Sequence, residues 1–165
     1  MAGTSYAIAL GSNRRSRHGS PAATLRAALA ALDGVRAVST IRATPALGPA
    51  GRSFANAVAI VESELSPDAL LAGLKALERA FGRRAGRRWG PRVLDLDIVL
   101  WSGGAWGGPG PTIPHPAFRD RLFVLAPLAE LVPLWRDPLT GATMRHLLAR
   151  LTAPRPAPSS GGVGR

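Results

Sequence analysis

Asp95 and Asp97 stand two residues apart in Val93-Leu94-Asp95-Leu96-Asp97-Ile98. On a strand such residues point to one face, which presents paired carboxylates about 7 Å apart along the backbone while Leu94, Leu96 and Ile98 turn to the core. Carboxylates on a half-buried face of an apolar strand are costly unless a cation or a basic group compensates them. Paired hard oxygen ligands suit Mg²⁺, which keeps waters and bridges substrate phosphates. The ten residues from Arg83 to Arg92 carry five Arg, whose forks match phosphate oxygens. Alone, an Asp-x-Asp pair commonly marks a solvated strand face, and an Arg run a solvated loop or a nucleic-acid patch. Side by side at a strand–loop junction, with Gly90-Pro91 between them, they bring metal-assisted phosphate chemistry level with those plainer readings.

His115 lies in Ile113-Pro114-His115-Pro116, where Pro stiffens the backbone on both sides. With Arg119, Asp120, Arg121 and Phe123 following, it is a candidate phosphate contact; the plainer reading is a packed or surface histidine. Thr44-Pro45 and Asn56 flank a Pro/Gly loop and offer hydrogen bonds to a flat heterocycle, though such residues also serve as ordinary loop and turn residues. Phe54 and Phe123 read by default as core.

These groups need a scaffold. Tyr6–Leu10 reads as a buried strand ended by the turn signal Gly11-Ser12-Asn13. Ser20-Pro21 opens a helix with Leu25, Leu29 and Leu32 at helical spacing, stopped by Asp33-Gly34. Val35–Thr44 reads as a second strand, and Pro45–Gly51 as a loop. Phe54–Leu65 is a third strand, with Ala57, Ala59 and Val61 on one side and Val58, Ile60 and Glu62 on the other. Ser66-Pro67-Asp68 opens a second helix, with Leu70, Leu71, Leu74, Leu77 and Phe81 on its apolar face and Gly82 at its close. Val93–Trp101 is a fourth strand. The Gly-rich loop Ser102–Pro111 and helices over Leu122–Leu131 and Met144–Leu151 complete residues 4–152, read as one domain. Residues 153–165 read as a disordered tail. Strands two and three join without a helix, so the order fits an α+β, ferredoxin-like (split βαβ) sandwich with a mainly antiparallel sheet and helices packed on it.

Composition narrows the classes. With 165 residues the chain suits one domain of ordinary size; 46% hydrophobic and 19% charged residues and a mean hydropathy of +0.09 argue against wholesale disorder. No apolar run approaches the roughly 18 residues of a membrane helix, and Met1–Ser5 shows no positive cluster before an apolar stretch, so no signal peptide is expected. With no Cys, thiolate chemistry and disulfides are excluded. The net charge of +11, with Arg supplying every basic residue but Lys75, calls for an anionic partner: nucleic acid, an acidic surface or a small polyphosphate.

Ala9-Leu10-Gly11-Ser12-Asn13, Arg88-Trp89-Gly90-Pro91-Arg92-Val93-Leu94-Asp95-Leu96-Asp97-Ile98, and Ile113-Pro114-His115-Pro116 with Phe123–Leu128 together resemble the 6-hydroxymethyl-7,8-dihydropterin pyrophosphokinases of folate biosynthesis. The resemblance runs in order from about Tyr6 to Leu151. It implies a ferredoxin-like fold and transfer of the β,γ-pyrophosphoryl group of ATP to the hydroxymethyl oxygen of 6-hydroxymethyl-7,8-dihydropterin, with AMP released. It implies two Mg²⁺ ions held by Asp95 and Asp97. Thr44, Pro45, Leu47 and Asn56 match the positions that read the pterin edge, and Phe54 and Phe123 the pair that sandwiches its ring. Glu78, Arg83, Trp89, Arg92, Ile98, His115 and Arg121 match the ATP-binding set, with Arg83 and Arg92 on the phosphates beside the two aspartates as catalytic groups. Pro45–Arg52 and Gly82–Arg88 match loops that seal the site. A cytoplasmic monomer is implied as well.

The alternative from another class is a basic RNA-binding ferredoxin-like module without catalysis. Against it, the chain holds one Tyr, and the central strands show Ala and Val where such a module presents exposed aromatics.

Overall fold

In the computed structural model, which describes residues 3–44, 53–82 and 93–156, the chain runs β1 (Thr4–Ser12), α1 (Pro21–Ala31), β2 (Val35–Val38), β3 (Arg42–Thr44), β4 (Phe54–Ser63), α2 (Pro67–Ala80), β5 (Asp95–Trp101), a short 3-10 turn (Phe118–Asp120), α3 (Leu122–Leu131) and α4 (Met144–Thr152). The sheet order is β2-β4-β1-β5, with β3 also paired to β4, and all these pairings are antiparallel. This is the ferredoxin-like α+β order, with α1 and α2 as the two crossovers.

Local chemistry sets the helix starts. The Ser20 side chain accepts a hydrogen bond from the Ala23 N–H, and Pro21 follows at the first turn. Ser66-Pro67 opens α2 without a side-chain cap bond, and the Leu70 N–H donates to the Ser66 carbonyl. At the far end Gly82 takes a φ of +111°, the left-handed conformation that closes the helix.

The strand ends differ from the sequence reading by about two residues at the start of β1 (Thr4 for Tyr6), the end of β4 (Ser63 for Leu65) and the start of β5 (Asp95 for Val93), and two further differences have a clear physical cause. The Gly11-Ser12 turn signal does not end β1, because β4 continues opposite it: Gly11 pairs with Asn56 and Ser12 with Ala55. Cross-strand hydrogen bonds outweigh the local glycine preference there. The single strand expected over Val35–Thr44 is two short pieces, β2 and β3, both lying along β4. At the break Ser39 turns its N–H to the Val58 carbonyl, while its Oγ accepts from the Val58 N–H.

The sheet separates two apolar layers. On one face Tyr6, Ile8, Leu10, Ala57, Ala59, Val61, Leu96 and Ile98 pack on Leu25 and Ala28 of α1 and on Leu70 and Leu74 of α2. On the other, Ala7, Val58, Ile60 and Leu100 pack under Phe118, Leu125, Leu128, Met144 and Leu147. The C-terminal helices thus add a third layer, but they cover only one end of that second face. At the covered end Arg119, itself part-buried, forms a bidentate ion pair with the fully buried Asp137, which ties the 3-10 turn to the segment before α4.

Candidate active site

The uncovered end of the second face gathers the groups with chemical potential. Strand alternation places Phe54 and Asn56 there, in line with Val58 and Ile60, and places Asp95 and Asp97 there, in line with the buried side chains of the same face. The register sets a row across four strands: Arg42 opposite Asn56, Asn56 opposite Gly11, Gly11 opposite Asp95. Asp97 lies opposite Ala9 in the next row. Small residues therefore form the floor between the Asn56 amide and the two carboxylates. A methyl group on Gly11 would stand 3.3 Å from Asn56 Oδ1, so the missing side chain leaves the amide its room.

β5 is an edge strand, and α2 holds its free edge. The Glu78 carboxylate is fully buried and accepts from the Leu96 N–H at 2.7 Å. Lys75 donates to Glu78 Oε1 at 3.0 Å and to the Leu96 carbonyl at 3.1 Å. The same ammonium stands 3.7 Å from Asp97 Oδ1. One lysine and one glutamate of α2 thus fix the strand that carries both aspartates.

His115 enters from the loop after β5. Its main-chain N–H donates to the Val99 carbonyl, and its Nδ1 accepts from the Ala117 N–H, leaving Nε2 as the ring's other nitrogen. Burial pushes the imidazole below its ordinary range; the nearby Asp97 carboxylate opposes that shift and Arg121 adds to it. Arg121 precedes α3, and its guanidinium carbon lies 5.9 Å from the centre of the Phe123 ring. Asp97, His115, Arg121 and Phe123 are in this way linked from the strand to the first turn of α3.

Placement of the expected residues is uneven. Thr44, opposite Phe54, and Asn56 lie on the open end of the sheet. Phe54 and Phe123, read by default as core, are 45% and 49% exposed, because the helices stop short of that end. Ile98 turns its side chain into the opposite layer, against the α1–α2 core. Pro45, Leu47, Arg83, Trp89 and Arg92 lie outside the described residues, as do the whole of the first expected lid, all of the second but Gly82, and residues 157–165 of the expected tail. Sequence reasoning missed Lys75, although its spacing three residues before Glu78 on a helix is a readable ion-pair signal, and it took Gly11 for a turn rather than for floor space.

The residues present fit a divalent cation of the Mg²⁺ type. Two half-buried carboxylates share a face, and among the described residues no group of three or more His, Cys, Asp or Glu assembles into a closed cage. One or two carboxylates, completed by water and phosphate oxygens, is the pattern Mg²⁺ takes; a full protein cage is not. No helix among the described residues is long and apolar enough to cross a membrane.

Residues 7–133 match the sequence model of the 7,8-dihydro-6-hydroxymethylpterin-pyrophosphokinase (HPPK) family. A 2-amino-4-hydroxy-6-hydroxymethyldihydropteridine pyrophosphokinase of Synechocystis is 41% identical over 106 residues, covering 64% of this chain and 54% of that protein. The protein of the same name from Methylorubrum extorquens is 39% identical over 150 residues, covering 87% of this chain and 91% of its own length. The crystal structure of wild-type Plasmodium falciparum HPPK-DHPS superposes with a TM-score of 0.68 at 12% identity, over 90% of this chain and 44% of that one, a likeness of fold.

Proposed function

The chain belongs to the 7,8-dihydro-6-hydroxymethylpterin-pyrophosphokinase family, and from that we propose that the open end of its sheet transfers pyrophosphate from ATP to 6-hydroxymethyl-7,8-dihydropterin in folate biosynthesis. The hydroxymethyl oxygen attacks the β-phosphorus. The bond from that phosphorus to the oxygen bridging the α-phosphate breaks, AMP leaves with that oxygen, and the hydroxyl proton passes to water. The products are AMP and the pterin diphosphate. Such transfer depends on positioning and on neutralising charge on the triphosphate.

The observation that carries the reading is the gathering of an amide, two exposed aromatic rings, two carboxylates, an imidazole and a guanidinium around one uncovered sheet face floored by Gly11 and Ala9. The pterin needs stacking faces and one group matching its donor–acceptor edge. Phe54 and Phe123 supply the first and Asn56 the second, with Thr44, Pro45 and Leu47 completing the edge. The triphosphate lies toward Asp95 and Asp97, with Arg83, Arg92 and Arg121 on its oxygens. His115 donates from Nε2, and Trp89 belongs to the nucleotide pocket. Ile98 takes part through its main chain, since Leu96 turns its own main-chain groups to the free edge and alternation sends those of Ile98 the same way. Glu78 acts through Leu96.

Asp95 and Asp97 would hold two Mg²⁺ ions. When bound, the ions supply positive charge to the triphosphate oxygens. The enzyme is read as a cytoplasmic monomer. The RNA-binding alternative finds no support in the family match or in the relatives.

The test is AMP release from ATP and Mg²⁺, with and without 6-hydroxymethyl-7,8-dihydropterin, in the native chain and in Asp95→Ala and Asp97→Ala. Pterin-dependent AMP in the native chain, lost in both folded variants, supports the reading. Full turnover in both variants defeats the assignment of the carboxylates.

A further inference from the structure

Lys75 is the chain's only lysine, and it sits where a bound cation would have to compete with it. Its ammonium has three donors. One goes to the fully buried Glu78 at 3.0 Å and one to the Leu96 carbonyl at 3.1 Å, and Asp97 Oδ1 stands 3.7 Å away. A surface lysine swings away from an arriving ion at little cost. This one is tethered by its two hydrogen bonds, one of them to a fully buried carboxylate, and leaving would break both.

We propose that Lys75 is a positioning residue that makes the aspartate pair selective for a divalent ion arriving together with a polyphosphate over the same ion alone. The ammonium fixed beside Asp97 already neutralises part of the pair's charge and repels a bare divalent ion. Once the ion comes with a triphosphate, the same positive charge faces phosphate oxygens and attracts. The sign of its contribution therefore reverses with the ligand, while its tether to Glu78 and Leu96 holds Asp97 in place in both states. This rests on the reading of Asp95 and Asp97 as metal ligands.

Mn²⁺ binding to the full chain, followed by electron paramagnetic resonance, tests it, with Mn²⁺ alone and with Mn²⁺ plus ATP, pterin being left out. Lys75→Met is expected to bind bare Mn²⁺ about fivefold more tightly, the effect of one screened charge near 4 Å, and to bind Mn²⁺ with ATP no more tightly than the native chain. Lys75→Gln, whose amide can still donate a hydrogen bond toward Glu78 Oε1 without carrying the charge, is measured beside it, so that loss of the tether and loss of the charge are told apart. Bare-ion affinity that is unchanged or weaker in the folded variants overturns the proposal, as does equal tightening in both conditions. The native chain and Asp97→Asn separate the two layers of the argument. Native binding that Asp97→Asn abolishes, with the Lys75 variants unaltered, sinks only the role of Lys75. If the native chain binds no Mn²⁺ with or without ATP, the metal assignment fails and takes this proposal with it.

Discussion

Gly11 and Asn56 face each other across β1 and β4, and a methyl group on Gly11 would stand 3.3 Å from Asn56 Oδ1. That spacing is tight enough that the amide must shift by a few tenths of an ångström to admit it. Gly11→Ala is therefore expected to raise the KM for the pterin about threefold to tenfold, since small displacements of a positioning group cost rate steeply. The KM for ATP and the melting temperature should stay close to native. Steady-state kinetics with each substrate varied in turn checks this, and a variant with both KM values unchanged would show that the glycine is not there for the amide.

In the proposed reading Asn56 supplies the donor–acceptor match to the pterin edge. Asn56→Ala is expected to weaken pterin binding about tenfold to a hundredfold, because a ligand edge left without its partner loses the full cost of desolvation. Nucleotide binding should be spared. Calorimetric titrations with the pterin and with a non-hydrolysable ATP analogue separate the two, and equal weakening of both would count against the pterin pocket.

The aspartates should behave differently from the rest of the strand. Asp97→Asn keeps shape and removes charge, so turnover is expected to fall by at least about a hundredfold while the melting temperature moves little. Lys75 retains its buried partner Glu78 in that variant, which is why the fold should tolerate it. Circular dichroism melts alongside the AMP assay provide the check.

His115 predicts an acid limb. Burial holds its folded pKa below the ordinary histidine value, so the unfolded chain takes up a proton first as the pH falls. Stability from this group is present above about 6.5 and is lost as the pH drops from there through the lowered folded value. Urea midpoints measured between pH 7.5 and pH 5 should fall in the native chain and fall less in His115→Gln. Identical slopes in the two proteins would remove His115 as the cause.

The Arg119–Asp137 pair is a matter of stability. Burial pushes the Asp137 carboxyl up, but hydrogen bonds from Arg119, the Leu139 N–H and Thr140, with the Arg119 charge, bring it down to about 2. Its contribution is present above the ordinary carboxylate range and is lost as the pH falls through about 2. Asp137→Ala strands a part-buried guanidinium and is expected to cost about 3 kcal/mol, read as a lower urea midpoint at unchanged m. Because the pair anchors the turn that leads into Arg121, kcat should fall as well.

Much of this site was legible before any coordinates. Alternation on Leu94–Ile98 was enough to put both aspartates on one face, and the family pattern attached roles to Asn56, His115 and Arg121. The exposure of Phe54 and Phe123 was not legible, because a phenylalanine reads as core unless one knows where the covering helices end. The third layer escaped for the same reason: α3 is apolar but for Glu130, with four of its ten residues buried, and its sequence does not say which end of the sheet it covers. The continuation of β1 through Gly11 depends on β4, a partner more than forty residues away. Lys75 needed the edge position of β5, which only the sheet order reveals.

The central claim is that this chain moves two phosphates as a unit from ATP to the pterin. Phosphorus-31 nuclear magnetic resonance of a reaction with ATP, Mg²⁺ and 6-hydroxymethyl-7,8-dihydropterin reads that directly. The account predicts AMP and a pterin diphosphate appearing in equal amounts as ATP disappears, with no reaction when the pterin is left out. ADP with a pterin monophosphate, or inorganic pyrophosphate in place of the pterin diphosphate, would contradict it.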